Sequence, residues 1–487
     1  MSIRLQKTLN ISRDFLLLAL GRAAQVVIAF ATLRIATTML SPAEFGLFAL
    51  LTGFRAFFGL FLISPVGQHV NRHTHEWFDQ HTLRSYLKAY QGYILAVSVI
   101  ATISLVIWSW LHGTIFKEPI VWTSVMMGLV VLSGTWNATL VPMLNMLGQR
   151  LQAVCLEFIT SLCTLMSAVI LCKIHDTGSM WFAGSIIGCV IGSGLAWIAL
   201  GQILGPQLQP TQPFMNKQIL RHYCAPLAVS AALLWFYTTS YRFVIEWFWG
   251  AEILGTFAFA YIFASQIWAV FEALMTQFIY PYFYRTLSVS ASDMPAKAFC
   301  HLVNAVLPIY LFLLALFIMG ADLVLPLVSG HQAYQAMSWL LPFAFIFEFF
   351  RVISALLSQA TQVTKNTSDN ITPYVVGGGL VLASSLISAI MDWPVIYLAL
   401  LLVASGALLF AAMFKSMFNH IAFHIDLYLI ALPLCMVIIN LVLKPLLRPS
   451  IGYATMVLCL EGMLFMIYCS YLFRNNHHVH ALLKTRI

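Results

Sequence analysis

The sequence predicts an all-α protein that crosses a membrane many times, on three observations. Of 487 residues, 61% are hydrophobic and only 9% are charged, with a mean hydropathy of +0.88, which no soluble globular composition approaches. Apolar runs long enough to cross a hydrocarbon core of ~30 Å recur from Phe15 almost to the C-terminus. The basic residues, which give a net charge of +8, alternate between loops as membrane topology requires rather than clustering as a nucleic-acid surface would.

The polar leader carries Arg4, Lys7 and Arg13, and the apolar run from Phe15 to Leu40 follows it without a small-residue cleavage site, so this segment reads as a first span and not a removed signal peptide. Fourteen spans are predicted, at 15–40, 45–68, 89–111, 119–147, 152–172, 180–204, 222–248, 253–284, 298–319, 337–360, 371–391, 394–414, 426–443 and 452–473. With the N-terminus inside, the outer segments hold only Lys117, Lys173, Lys444 and Arg448 of the 25 basic residues; five arginines lie within spans (Arg22, Arg34, Arg55, Arg242 and Arg351), which leaves sixteen inside. This bias places both termini in the cytoplasm. The nine cysteines fall mostly within spans and form no CxxC pair, so neither a disulfide framework nor a zinc site is expected.

Gly205 to Lys217 holds three prolines and ends the sixth span. Arg34 is followed ten residues later by Glu44 in Ala43-Glu44-Phe45-Gly46-Leu47-Phe48-Ala49, and Arg242 ten residues later by Glu252 in Ala251-Glu252-Ile253-Leu254-Gly255-Thr256-Phe257-Ala258. Helix end, outer turn and helix start thus recur at the same place in a six-span count, as in a duplicated transporter. The expected organisation is an N-terminal lobe of spans 1–6 (1–204), a cytoplasmic linker (205–217), a second lobe of spans 7–12 (218–415), and spans 13–14 with a cytoplasmic tail (416–487).

With the turn Leu40-Ser41-Pro42-Ala43-Glu44-Phe45-Gly46-Leu47-Phe48, its weaker echo at Gly250 to Phe259, and the six-plus-six plan, the chain resembles the multidrug/oligosaccharidyl-lipid/polysaccharide (MOP) exporter superfamily over residues 10 to 415. Within it the chain looks most like the bacterial Wzx-type polysaccharide flippases. The resemblance implies two six-helix lobes around a cavity open alternately to either side. Its implied cargo is an undecaprenyl-pyrophosphate-linked oligosaccharide, flipped across the bacterial inner membrane for O-antigen, capsule or exopolysaccharide synthesis. A proton or sodium gradient would drive the exchange, and polysaccharide polymerase machinery is an implied partner. Flippases of the MurJ type share the span count and carry a lipid-tail groove associated with the extra pair of spans, but their opening motif is absent here.

Arg55 is the leading candidate for substrate binding. An arginine at the bilayer centre costs about 2.5 to 3.5 kcal/mol, and with roughly ten residues of helix on either side its head cannot snorkel to water. A wet cavity holding an anion accounts for it, and guanidinium groups suit a pyrophosphate because they pair bidentately and stay charged. The competing reading is a salt bridge to a mid-membrane acid such as Glu272. Arg22 lies ~10 Å into the first span, where partial snorkelling competes. Arg34 sits twelve residues on, ~120° around the helix, so the two do not share a narrow stripe. Arg242 is spaced i, i+4 from Glu246, and Arg351 i, i+3 from Glu348, so ion pairing on one helix face competes with substrate binding at both. Arg55, Arg34, Arg22 and Arg242 form the expected substrate set.

Glu272 is the candidate for ion coupling, since a buried carboxyl can take up and release a proton as a cavity changes face; its alternative is pairing with an arginine. Glu157 lies near an inner helix end within reach of water, and Glu461 falls outside the duplicated core. The loop His69 to His75 with His81, and the tail His477 to His480, read as solvated surface, with no carboxylate or cysteine at ligand spacing. Gly184, Gly188 and Gly192 read as close helix packing. Two rivals remain. A multidrug exporter of lipophilic cations should present acids to its cavity rather than several arginines. A polytopic glycosyltransferase or ligase needs a sizeable extramembrane region or an exposed acid cluster, yet the longest outer loop, Gly320 to Ala336, carries only Asp322 as an acid. No catalytic residue, metal or cofactor is expected.

Overall fold

The computed structural model describes residues 21, 23–113, 116–206, 208, 213–280, 283–284, 294–336, 338–364, 367–421, 423–446 and 451–475. Among these the regular structure is helical throughout. Arg22 and the histidine tail lie outside the described residues. Eleven helical stretches among them are long and apolar enough to cross a membrane, and Ala23–Met39 and Leu427–Val442 are shorter apolar helices.

The chain divides into two compact units, Met1–Trp235 with Trp249–Gly255, and Phe236–Phe248 with Thr256–Ile487. In the first, α1 (Ala23–Met39) leads to Ser41, whose hydroxyl accepts from Glu44 N, and Pro42 opens α2 (Pro42–Phe58) as expected of an N1 proline. A π-turn (Gly59–Ile63) joins α2 to α3 (Ser64–Asp79). Then come α4 (Leu83–His112), α5 (Ile120–Met146), α6 (Arg150–Ile174) and α7 (Gly178–Ile203). A second π-turn, Leu220–Cys224, runs into α8 (Ala225–Phe278), which Gly250 breaks with φ +83°. That left-handed backbone is one glycine adopts freely, and it turns one helical run into two.

Gly184, Gly188 and Gly192 do carry a close approach: a Cβ at each would fall 2.4 Å from Ala168 Cα, 2.1 Å from Thr164 Oγ1 and 1.9 Å from Thr160 Oγ1 of α6. The two copies of the internal repeat also meet, since a Cβ on Gly46 would lie 2.1 Å from Ala251 O and one on Gly255 1.7 Å from Pro42 O. The core of this unit is apolar and aromatic, with Leu87, Tyr90, Ile94, Leu140, Val141 and Leu200 buried together.

In the second unit α9 (Met294–Val328) packs beside α13 (Leu427–Leu446) and α14 (Ile451–Asn475), and α10 (Leu341–Ser358) beside α12 (Val395–His420), which pairs with α11 (Ile371–Ile390). Trp268 Nε1 donates to Phe345 O (3.2 Å) and the Tyr237 hydroxyl to Phe347 O (3.1 Å), so buried polar tips find carbonyls while their rings fill the core. Gly377 packs against Leu409 in an unbroken α11.

Two expected loops prove helical. His69 to His75 lies in α3 because Val66, His69, Val70, Thr74 and Trp77 bury one face, and His69, 4% exposed, packs its ring on His73 and Trp77 instead of standing in solvent. The outer loop expected from Gly320 begins only after Val328, since α9 continues with Pro326 inside it. Asp322 there meets Lys444 of α13 at 3.4 Å.

Candidate functional site

Arg55 lines a cavity of about 500 Å³ inside the first unit, walled by α2, the π-turn, α3, α4 and α5. Among the described lining residues it alone is charged; Thr52, Ser64, Gln68, Asn71, Tyr90, Thr135 and Thr139 supply hydroxyls and amides, and Leu60, Ile63 and Val131 an apolar wall. Arg55 forms no ion pair with a carboxylate among the described residues. Glu272, its expected structural partner, pairs elsewhere.

Local sequence explains how the guanidinium fits. It lies against Gly134 of α5, where a Cβ would stand 2.8 Å from Nη2, so any larger residue would compete for its place. Two residues before it, Gly53 O accepts from Trp235 Nε1 at 2.9 Å, which fixes α2 at this height. A bare guanidinium facing a polar hollow can form paired hydrogen bonds with phosphate oxygens, and the volume falls within the range of ordinary small-molecule sites.

The π-turn shapes the end of the cavity lined by Ser64, Gln68 and Asn71. Ser64 N–H reaches back five residues to Gly59 O, and Pro65, which has no N–H to continue the ladder, follows at once. The Tyr93 hydroxyl donates to Leu62 O (2.7 Å) within this turn.

In the second unit Arg351 joins two acids. Its Nε donates to Glu348 Oε2 (2.5 Å), Nη2 to Glu272 Oε2 (2.7 Å) and Nη1 to Glu272 Oε1 (3.3 Å). Glu348 is 7% exposed and Glu272 28%, so the triad has a buried arm and an open one. Two carboxylates on one guanidinium leave a formal charge of −1. A cavity of about 340 Å³ in the same unit is lined by apolar residues of α8, α9, α10 and α14, including Phe263, Phe317, Phe345 and Leu458.

The sequence-predicted set is therefore not gathered in one place. Arg34, on an exposed face of α1, does not line the Arg55 cavity. Arg242 belongs to the second unit, its guanidinium carbon 5.9 Å from the Tyr241 ring centroid. Glu157, expected to reach water, accepts from Gln25 Nε2 of α1. Sequence reasoning passed over Gly134, the amide and hydroxyl row beyond the π-turn, and a cluster at the helix ends in which Glu44 accepts from Gly178 N (2.9 Å) and pairs with Lys117 (2.8 Å), while Glu118 accepts from the Thr177 and Ser179 hydroxyls. The Pro65 after a run of apolar residues was the one available signal for the π-turn.

The structure of "Lipid II flippase MurJ, inward closed conformation" is similar over 95% of this chain and 99% of that one, with TM-score 0.67 at 13% identity, a likeness of fold. Two other solved structures overlap less well. One is an inward-facing multidrug resistance MATE family transporter of the MOP superfamily, with TM-score 0.49 at 12% identity over 81% of this chain and 95% of that one. The other is a MOP superfamily transporter from Pyrococcus furiosus, with TM-score 0.46 at 11% identity over 88% and 93%. No curated protein matches the chain. The family described as "Polysaccharide biosynthesis protein" matches residues 11–287, more than half of the length. With multiple membrane-crossing helices, an arginine-bearing cavity and that match, the chain belongs to the polysaccharide biosynthesis protein family, on a fold like that of the MurJ structure.

Proposed function

We propose that the protein is a flippase that moves undecaprenyl-pyrophosphate-linked oligosaccharide across the bacterial inner membrane for surface polysaccharide synthesis, without covalent change to its cargo. The observation that carries this reading is Arg55, a charge without an acid partner among the described residues, in a polar-lined cavity between membrane helices. Such charges in membrane segments are retained for function because their insertion is costly. Family membership supports the lipid-linked glycan as cargo. The apolar cavity beside α14 suits a polyisoprenyl tail, and the fourteen-span plan with both termini inside completes the reading.

Coupling is assigned to the Glu272–Arg351–Glu348 triad. Its surplus negative charge calls for a proton or a sodium ion, and Glu272 is the arm open to exchange. The arginine in the described cavity speaks against export of lipophilic cations, which require acids there.

Arg55→Ala is expected to abolish surface polysaccharide while lipid-linked repeat units accumulate on the cytoplasmic face, with Arg55→Lys partly active. Normal export by a correctly inserted Arg55→Ala protein would remove Arg55 from the mechanism. Movement of cationic dyes but not lipid-linked glycan by the purified protein in liposomes would overturn the flippase reading.

A further inference from the structure

Counted from Thr52 along an unbroken α-helix at ~100° per residue, Ser64, Gln68 and Asn71 would point ~100° to ~160° away from the cavity face. Yet all three line the same cavity as Thr52 and Arg55. The π-turn between them accounts for this: a turn closed from i to i+5 holds one residue more than an α-turn and rotates everything after it back by ~100°, which brings the three within ~60° of Thr52. Without that turn, the inner half of the helix would present a different row to the hollow.

The row has a consistent chemistry. Gln68 and Asn71 are exposed primary amides, each offering donors and an acceptor, and the Gln68 amide is 3.4 Å from the Ser64 hydroxyl. None of the three carries charge, so none offers the paired, charge-assisted contact with phosphate that Arg55 does. They match ligands dense in neutral hydroxyls, and Leu60 and Ile63 beside them supply an apolar surface for the C–H face of a sugar ring. Along the helix they lie ~14 Å to ~24 Å from Arg55, all on its inner side, the separation expected of groups that follow a pyrophosphate along its glycan.

Resting on the flippase reading above, we infer that Ser64, Gln68 and Asn71 form a saccharide subsite that reads sugars along the glycan beyond the pyrophosphate, and that the π-turn aligns this subsite with Arg55. Arg55 then supplies affinity for the lipid pyrophosphate, and the amide row supplies selectivity among glycans.

The test compares two probes on the purified full-length protein in nanodiscs: undecaprenyl pyrophosphate, and the lipid-linked repeat unit extracted from the producing host. Wild type is expected to bind the glycan-bearing lipid at least about tenfold more tightly, a margin of ~1.4 kcal/mol. Gln68→Leu/Asn71→Leu should lose that margin and keep its affinity for bare undecaprenyl pyrophosphate, whereas Arg55→Ala should weaken both. Both amides are exposed, so the core is untouched, and the single alanine variants serve if the double variant does not express. A margin unchanged in the double and single variants overturns the subsite, as does a wild type that binds the two probes equally, while the flippase reading stands in either case. Binding of neither probe by wild type overturns the flippase reading and the subsite with it.

Discussion

Gly134 and Arg55 act as one unit, because the guanidinium occupies the space a side chain on α5 would fill. Gly134→Val should therefore displace the guanidinium and reduce glycan flux in the same direction as Arg55→Ala, about tenfold or more given ~1.5–3 kcal/mol for hydrogen bonds to charged groups. Flux measured with insertion and melting temperature held as controls checks this; unchanged flux in Gly134→Val would separate the two positions. At the triad, Glu272→Gln removes the more accessible, partly buried carboxylate and leaves Arg351 with Glu348, a neutral pair. Transport by that variant should lose its response to an imposed proton or sodium gradient while binding of undecaprenyl pyrophosphate is retained, and a gradient response equal to wild type would exclude Glu272 from coupling. Arg55 was legible from hydropathy alone, since its flanks are apolar for several turns. The partner of Glu272 was not, because Arg351 stands 79 residues away and only the i, i+3 acid on its own helix shows in the sequence.

Elements expose what periodicity can and cannot reveal. Long apolar runs located most helices to within a few residues, yet α3 reads as a loop because polar residues on one face lower the mean while Trp77 and Val70 bury the other, and the end of α9 reads as one because Gly320, Asp322 and Pro326 punctuate an otherwise apolar run. The π-turn lies inside a run whose composition does not change, so only Pro65 marks it. Tyr93→Phe takes the donor from Leu62 O and is expected to lower stability by about 1 kcal/mol, read as a fall in melting temperature. Where the repeats cross, Gly46→Ala forces a Cβ against the Ala251 carbonyl, with an expected loss of ~1–3 kcal/mol. At the turn between α4 and α5, the Glu44 carboxylate holds the Lys117 ammonium above its ordinary 10.5. A raised lysine contributes fully below its unfolded value and loses that contribution only as pH rises through the folded one. Lys117 therefore adds no pH dependence near neutrality, and a flux profile that changes between about pH 5 and 8 points to other groups.

At the scale of the molecule, composition and the distribution of lysine and arginine were enough for fold class, and the family match and the likeness to a MurJ structure agree with it. Both termini are expected inside, so epitope tags at either end of the expressed protein should bind antibody only after the inner membrane is permeabilised; labelling of intact spheroplasts at either tag would overturn that topology. Cargo choice was not legible at this scale, because it is set by which face one helix turns toward a hollow. The five residues Gly59–Ile63 give that choice a genetic form. In the gene, the extra residue of the π-turn is a single codon, and an in-frame loss or gain of three nucleotides there would exchange the whole inner row of side chains while leaving the Arg55 half of the helix as it is. Glycan preference in this lineage can thus shift by one indel, without the many separate substitutions needed to rebuild a binding face.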